Sequence, residues 1–183
     1  MPIPENRRYT IEEFLTIAEQ SDKRMELING EIVALAAPNQ IHQLLVGRLF
    51  SKIDGYIQSN KGNCTPLLAP FDVVLGKDLV QPDVFVVCDP DKLDGKRCHG
   101  APDWVIEITS SNYRTDYYDK LELYKKNGVR EYWIVNPDTG RVFVYFFEQS
   151  RNSVTFYNFT ESIPVGIYQD APVQLAICIA ELM

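Results

Sequence analysis

Glu107 stands where a carboxylate is costly. The stretch APDWVIEITSS, residues 101–111, reads as a core strand built on Trp104, Val105, Ile106 and Ile108, with Glu107 in its middle. An acid in such a setting must be paired, hydrogen-bonded or bound to a metal. Strand alternation puts Val105, Glu107 and Thr109 on one face, and along 83–87 it puts Asp83, Phe85 and Val87 together. If these strands are neighbours, Asp83 and Glu107 converge, and two such carboxylates repel each other unless a divalent cation lies between them. Hard oxygen donors with room for water suit Mg²⁺ or Mn²⁺, the equipment of phosphodiester hydrolysis. A cation is at hand in TDYYDKLELYKK, where Lys120 lies at helical spacing from Tyr117 and Tyr124, with Asp116 four residues earlier. A lysine pointing inward from that helix can orient the attacking water or stabilise the transition-state charge. The competing possibilities are structural: a Glu107 ion pair with an arginine or Lys120, and a Lys120 whose stem packs on tyrosines.

A second Pro-Asp pair, Pro102-Asp103, invites confusion with Pro82-Asp83. Asp103 is four residues before Glu107 on the same strand, roughly 13 Å along it at 3.3 Å per residue, and cannot share a metal with it. Asp83 is therefore the candidate.

The elements that would hold these groups follow from pattern. Thr10-Ile-Glu-Glu13 is a capping box, with Tyr9 and Phe14 as its hydrophobic staple, opening a helix to about Gln20. RMELINGEIVAL is a hairpin turning at Asn29-Gly30, which places Glu26 opposite Val33 and Ile28 opposite Glu31. Leu45, Val46, Leu49, Phe50 and Ile53 repeat at helical spacing over 40–57. PLLAPFDVVL and DVFVVC read as two long strands turned at 76–78, followed by a polar loop over 89–100. Residues 113–127 read as a helix ending at Asn127-Gly128, and REYWIVN and RVFVYFF as a final hairpin. The tail adds a short strand and an apolar end. Tyr132, Trp133 and the 143–147 aromatics suit the core and a dimer surface. The expectation is one mixed α/β domain over 1–183.

Composition narrows the class. With 45% hydrophobic and 23% charged residues the 183-residue chain is of ordinary globular type. A net charge of −7 disfavours a protein that coats nucleic acid non-specifically, though not an enzyme that meets DNA locally through a metal. Cys64, Cys88, Cys98 and Cys178 form no CxxC pair, so reduced thiols and a cytoplasmic location are expected. No apolar run approaches membrane-spanning length.

Taken together, QPDVFVV, PDWVIEITSS, the Asp116-xxx-Lys120-xxx-Tyr124 spacing, GVREYWIV and MELINGEIV with the His42 helix resemble a bacterial restriction endonuclease family of the PD-(D/E)XK nuclease superfamily. The resemblance covers nearly the whole chain in order. It implies a restriction-endonuclease-like mixed sheet flanked by helices, with an N-terminal helix and hairpin. It implies Asp83 and Glu107 as metal ligands and Glu26 as a further acid, and it keeps His42 in view beside the reading of a satisfied core histidine. The superfamily's usual lysine stands two residues after the glutamate; here that position is Thr109, and Lys120 is the natural substitute from the following helix. The resulting expectation is a Mg²⁺- or Mn²⁺-dependent DNA endonuclease. Asp83, Glu107 and the Ile108 carbonyl hold the metal, Glu26 and Lys120 complete the site, and His42, Ser110, Asp116 and Tyr124 are accessory candidates. A homodimer is expected, as restriction-type folds usually cut duplexes in pairs. The alternative is a catalytically inactive nuclease-fold interaction or regulatory domain, favoured by the acidic charge and by Thr109.

Overall fold

The protein is described by a computed structural model that covers residues 7–109, 118–148 and 154–183. It is a mixed α/β fold in which two sheets face each other and helices cover their outer sides. Helix α1 (Ile11–Ala18) begins at the Thr10 capping box, where the Thr10 side chain accepts from Glu13 N and the Glu13 side chain from Thr10 N. Strands β1 (Met25–Ile28) and β2 (Glu31–Ala34) form the hairpin, with Glu26 opposite Val33 and Ile28 opposite Glu31 as the turn dictates. Asn29 and Gly30 both have positive φ, 53° and 77°, the backbone that a two-residue hairpin turn needs. Helix α2 (Gln40–Ser59) buries Leu45, Val46, Leu49, Ile53 and Ile57.

The long segment over 66–75 is two strands, not one. β3 (Thr65–Leu68) and β4 (Asp72–Leu75) lie in different sheets, separated at Pro70, which has no N–H to continue a ladder. The turn at 76–77 accordingly leads into β5 (Asp78–Val80), which pairs with β4 and β1, and only then does β6 (Val84–Val87) return to pair with β3. The polar loop also holds a strand, β7 (Arg97–His99), parallel to β4 at the sheet edge. β8 (Trp104–Ile108) lies between β6 and β9 (Glu131–Asn136), antiparallel to the first and parallel to the second. β9, β10 (Arg141–Phe146) and β11 (Val154–Asn158) close the sheet, and the tail folds back through β12 (Ser162–Pro164) and β13 (Ala176–Cys178). The expected helix over 113–127 contains α3 (Lys120–Asn127); residues 113–117 lie outside the described ones.

The six-stranded sheet, ordered β11-β10-β9-β8-β6-β3, is covered on both faces. Trp104, Ile106, Ile108, Trp133 and Val135 pack against α2 and the tail. Val105, Phe85, Val87, Tyr132 and Ile134 face the five-stranded sheet, ordered β2-β1-β5-β4-β7, together with Leu123 and Tyr124 of α3. Helix α1 covers the outer side of that second sheet through Tyr9 and Phe14 against Met25, Leu27 and Leu79. Tyr132 and Trp133 are thus core residues rather than dimer surface.

Two features escaped pattern reading. Glu131 is a buried carboxylate that accepts from Trp133 Nε1 at 2.7 Å and Ile167 N at 2.9 Å, pinning the tail to the sheet; burial raises its pKa above the ordinary value. Cys64 and Cys88 form a disulfide, so the expectation of reduced thiols fails for this pair. Thr65 pairs with Val87, so continuing that antiparallel register sets 64 opposite 88. That adjacency depends on a strand pairing that spacing along the chain does not reveal. Among the described residues, no helix is long and apolar enough to cross a membrane.

α3 ends at Gly128, whose φ of 90° lets its N–H turn back to the carbonyls of Lys125 and Tyr124. Because L side chains resist that backbone, Gly128→Ala should destabilise the fold by about 1 kcal/mol. A chemical-denaturation midpoint equal to wild type would show that this cap contributes nothing.

Candidate active site

Glu107 is paired. The alternation that puts it on the Val105 face points it into the layer between the sheets, and Glu26 enters the same layer from β1 on the Ile28 face. Lys120, the first residue of α3, lies between them. Its Nζ is 2.9 Å from Glu107 Oε1 and 3.0 Å from Glu26 Oε1, and all three side chains are at most 5% exposed. One turn along the helix the Tyr124 hydroxyl donates to Glu107 Oε1 at 2.6 Å. Burial, then the Glu107 and Glu26 charges, hold the Tyr124 pKa well above its ordinary value, so the phenol remains a donor. Glu26 Oε1 also accepts from Gln81 N at 2.8 Å, while its buried Oε2 has no partner among the described residues. At the Glu26–Glu107 pair, the cation between the carboxylates is the Lys120 ammonium.

Asp83 takes a different position. Val84 pairs with Ile106, so continued register sets Asp83 across from Glu107 and Pro82 across from Ile108. Proline has no N–H to donate to the ladder, and the Ile108 N–H is taken instead by the Asp83 side chain, Oδ2 accepting at 2.8 Å. His42 Nε2 is 3.0 Å from the same oxygen. The α2 N-cap sets that approach, since Asn39 Oδ1 accepts from His42 N at 2.9 Å and fixes the first turn. Beside a carboxylate, Nε2 carries the proton. Among the described residues, the buried His42 Nδ1 has no hydrogen-bond partner.

These groups line one pocket of about 90 Å³, walled by Glu26, His42, Asp83, Glu107, Ile108 and Lys120, and closed on another side by Val33 and the segment through Pro38. Tyr124 reaches it through Glu107. Ser110 and Asp116 lie outside the described residues. Asp103 stays apart, its carboxylate taken by Cys88 N at 2.7 Å and Arg130 Nη1 at 3.2 Å. Thr109 does not line the pocket; its hydroxyl lies 3.5 Å from the Val135 carbonyl oxygen. Arg24 and Gln81 do line it and were missed. The signal for Arg24 was present, since it is two residues before Glu26 and a strand returns to the same face every second residue.

Among the described residues, no three His, Cys, Asp or Glu side chains are gathered as a metal cluster. The donors present nevertheless fit a hard cation. Mg²⁺ is commonly held by one or two carboxylates and otherwise by water, and the pocket offers carboxylates from adjacent strands plus the orphaned Glu26 Oε2.

Comparison with known proteins bears on the fold and the family. A crystal structure of "a putative nuclease belonging to DUF820" from Anabaena variabilis ATCC 29413 is similar at a TM-score of 0.76 and 23% identity, over 99% of this chain and 97% of that one. At that identity the likeness establishes the fold. No match is found among curated proteins. The family model described as "Uma2: Putative restriction endonuclease" matches residues 11–169. With most of its length matched, the chain belongs to the Uma2 family of restriction-endonuclease-like proteins.

Proposed function

We propose that the chain is a metal-dependent endonuclease that hydrolyses DNA phosphodiester bonds, with its lysine carried on the helix after the glutamate strand. One observation supports this above the others: β1, the start of β6, β8 and α3 deliver Glu26, Asp83, Glu107 and Lys120 to a single pocket. Asp83, Glu107 and the Ile108 carbonyl are the groups to hold Mg²⁺ or Mn²⁺. When bound, such an ion supplies Lewis-acid polarisation of a phosphoryl oxygen. The chain's own residues do the rest. Lys120 presents a fixed positive charge where negative charge grows, and Glu26 and Tyr124 keep it and Glu107 from swinging away. Asp83 and Glu107, which both line the pocket, would hold the attacking water there. His42 orients Asp83 by donating to Oδ2. Action in the cytoplasm as a homodimer belongs to the same reading, and Phe156 of β11, 58% exposed, offers apolar surface for pairing. The second reading, an inactive nuclease-fold interaction domain, draws on the lack of a three-ligand cluster among the described residues.

Converging carboxylates that bind a cation should make stability metal-dependent. Saturating Mn²⁺ or Mg²⁺ should raise the melting temperature, by about 2.7 kcal/mol of stability at a hundredfold excess over Kd. Asp83→Asn, which keeps an acceptor for Ile108 N, should abolish the rise. An equal rise in that variant places the cation elsewhere.

Lys120 carries stability and chemistry together, so its test must separate them. Lys120→Ala leaves two buried carboxylates facing each other and should cost about 3–5 kcal/mol. Per folded molecule, metal-dependent cleavage of a generic duplex should also fall at least about a hundredfold. If Lys120→Ala protein that is still folded at the assay temperature cuts at the wild-type rate, Lys120 is structural only. If wild type cuts neither duplex nor single strand with Mg²⁺ or Mn²⁺, the interaction-domain reading replaces this one.

A further inference from the structure

We infer that Arg24 is the pocket's phosphate clamp, the guanidinium that grips a backbone phosphodiester at the candidate active site; this rests on the nuclease reading above. Among its fixed charges the pocket wall sets two cations, Arg24 and Lys120, against three carboxylates, Glu26, Asp83 and Glu107. Lys120 is spent, since its ammonium contacts both Glu107 and Glu26. In a chain of net charge −7, an anionic substrate entering this wall meets repulsion unless another cation receives it. Arg24 is that cation. Its Nε donates to the neutral amide oxygen of Gln81 at 3.1 Å, and among the described residues it makes no ion pair. Its two terminal nitrogens donate to no protein acceptor among those residues, and they are the half of the guanidinium fork that matches two phosphate oxygens.

The arginine is also held in place. Gln81 Nε2 donates to Asp72 Oδ1 at 2.9 Å, which turns the amide so that its oxygen faces Arg24. Asp72 is in turn fixed by Arg97 Nε at 3.2 Å. The Gln81 backbone N–H reaches Glu26 Oε1, so the mount of Arg24 shares an atom with the Lys120 bridge. A surface arginine with no ligand would not need an amide oriented by a separate carboxylate. One placed against a phosphate would, because each immobilised rotamer lowers the ordering cost of binding.

The test is binding rather than cleavage. Fluorescence anisotropy of a labelled short DNA duplex, and of its single strand, is measured across a salt series with Ca²⁺ in place of Mg²⁺. Wild type, Arg24→Ala, Arg24→Gln and Arg24→Lys are compared, each with its melting curve. Arg24→Ala and Arg24→Gln should weaken binding about tenfold and reduce the salt slope by about one. Arg24→Lys should keep the slope and lose part of the affinity, because it retains the charge without the fork. All three should melt near wild type; if Arg24→Ala unfolds in the assay, Arg24→Gln and Arg24→Lys decide. Wild-type affinity and slope in the charge-removing variants would overturn the clamp while leaving the nuclease reading intact. Absence of DNA binding by wild type would overturn both.

Discussion

The Lys120 ammonium held between the carboxylates of Glu26 and Glu107 is the contact on which the site is built. Its three members come from three separate elements, a strand of each sheet and the helix in the layer between them. None is more than 5% exposed, so none can be rescued by water if a partner is lost. Breaking a buried ion pair by removing one member costs about 3–5 kcal/mol, yet replacing the whole set with packed apolar side chains is often neutral or stabilising. Stability alone therefore gives no reason to keep such a triad. A fixed positive charge at the wall of a pocket does give one, because oriented charge that needs no rearrangement is what stabilises a transition state.

The same contact sets the electrostatics around it. With Lys120 engaged by Glu107 and Glu26, and Tyr124 kept neutral by burial, negative charge prevails on the wall where Asp83 stands. That imbalance suits a divalent cation and, with it, a phosphodiester. On the proposed nuclease reading, the acidic overall charge would restrict nucleic-acid contact to the few residues that counter it, instead of spreading it over a basic face. His42 and Arg24 lie on opposite approaches of sequence, the first turn of α2 and the residue before β1, yet both line this pocket.

Much of this was legible in the chain, for identifiable reasons. Glu107 announced itself because a charge interrupts an apolar strand, and the Asn29-Gly30 turn fixed Glu26 opposite Val33 without reference to the rest of the fold. Lys120 and Tyr124 were placed by helical spacing. What was hidden depends on pairings between distant segments. The split of β3 from β4, the edge strand β7 and the Cys64–Cys88 bridge all follow from which sheet each segment joins, and local pattern is silent on that. Lys120 as partner to Glu26 was hidden for the same reason: one leaves β1 and the other α3, 94 residues later by number. Glu131 gave no signal because its partner Ile167 belongs to a tail with little pattern of its own.

The central claim is that this pocket is a metal-dependent hydrolytic site, and the position of a bound ion tests it most directly. Crystals soaked in Mn²⁺ and measured at the manganese absorption edge should give an anomalous peak bounded by the carboxylates of Asp83 and Glu107, with Lys120 still between Glu107 and Glu26. A pocket without anomalous density at a Mn²⁺ concentration that fills other sites on the protein would contradict the account.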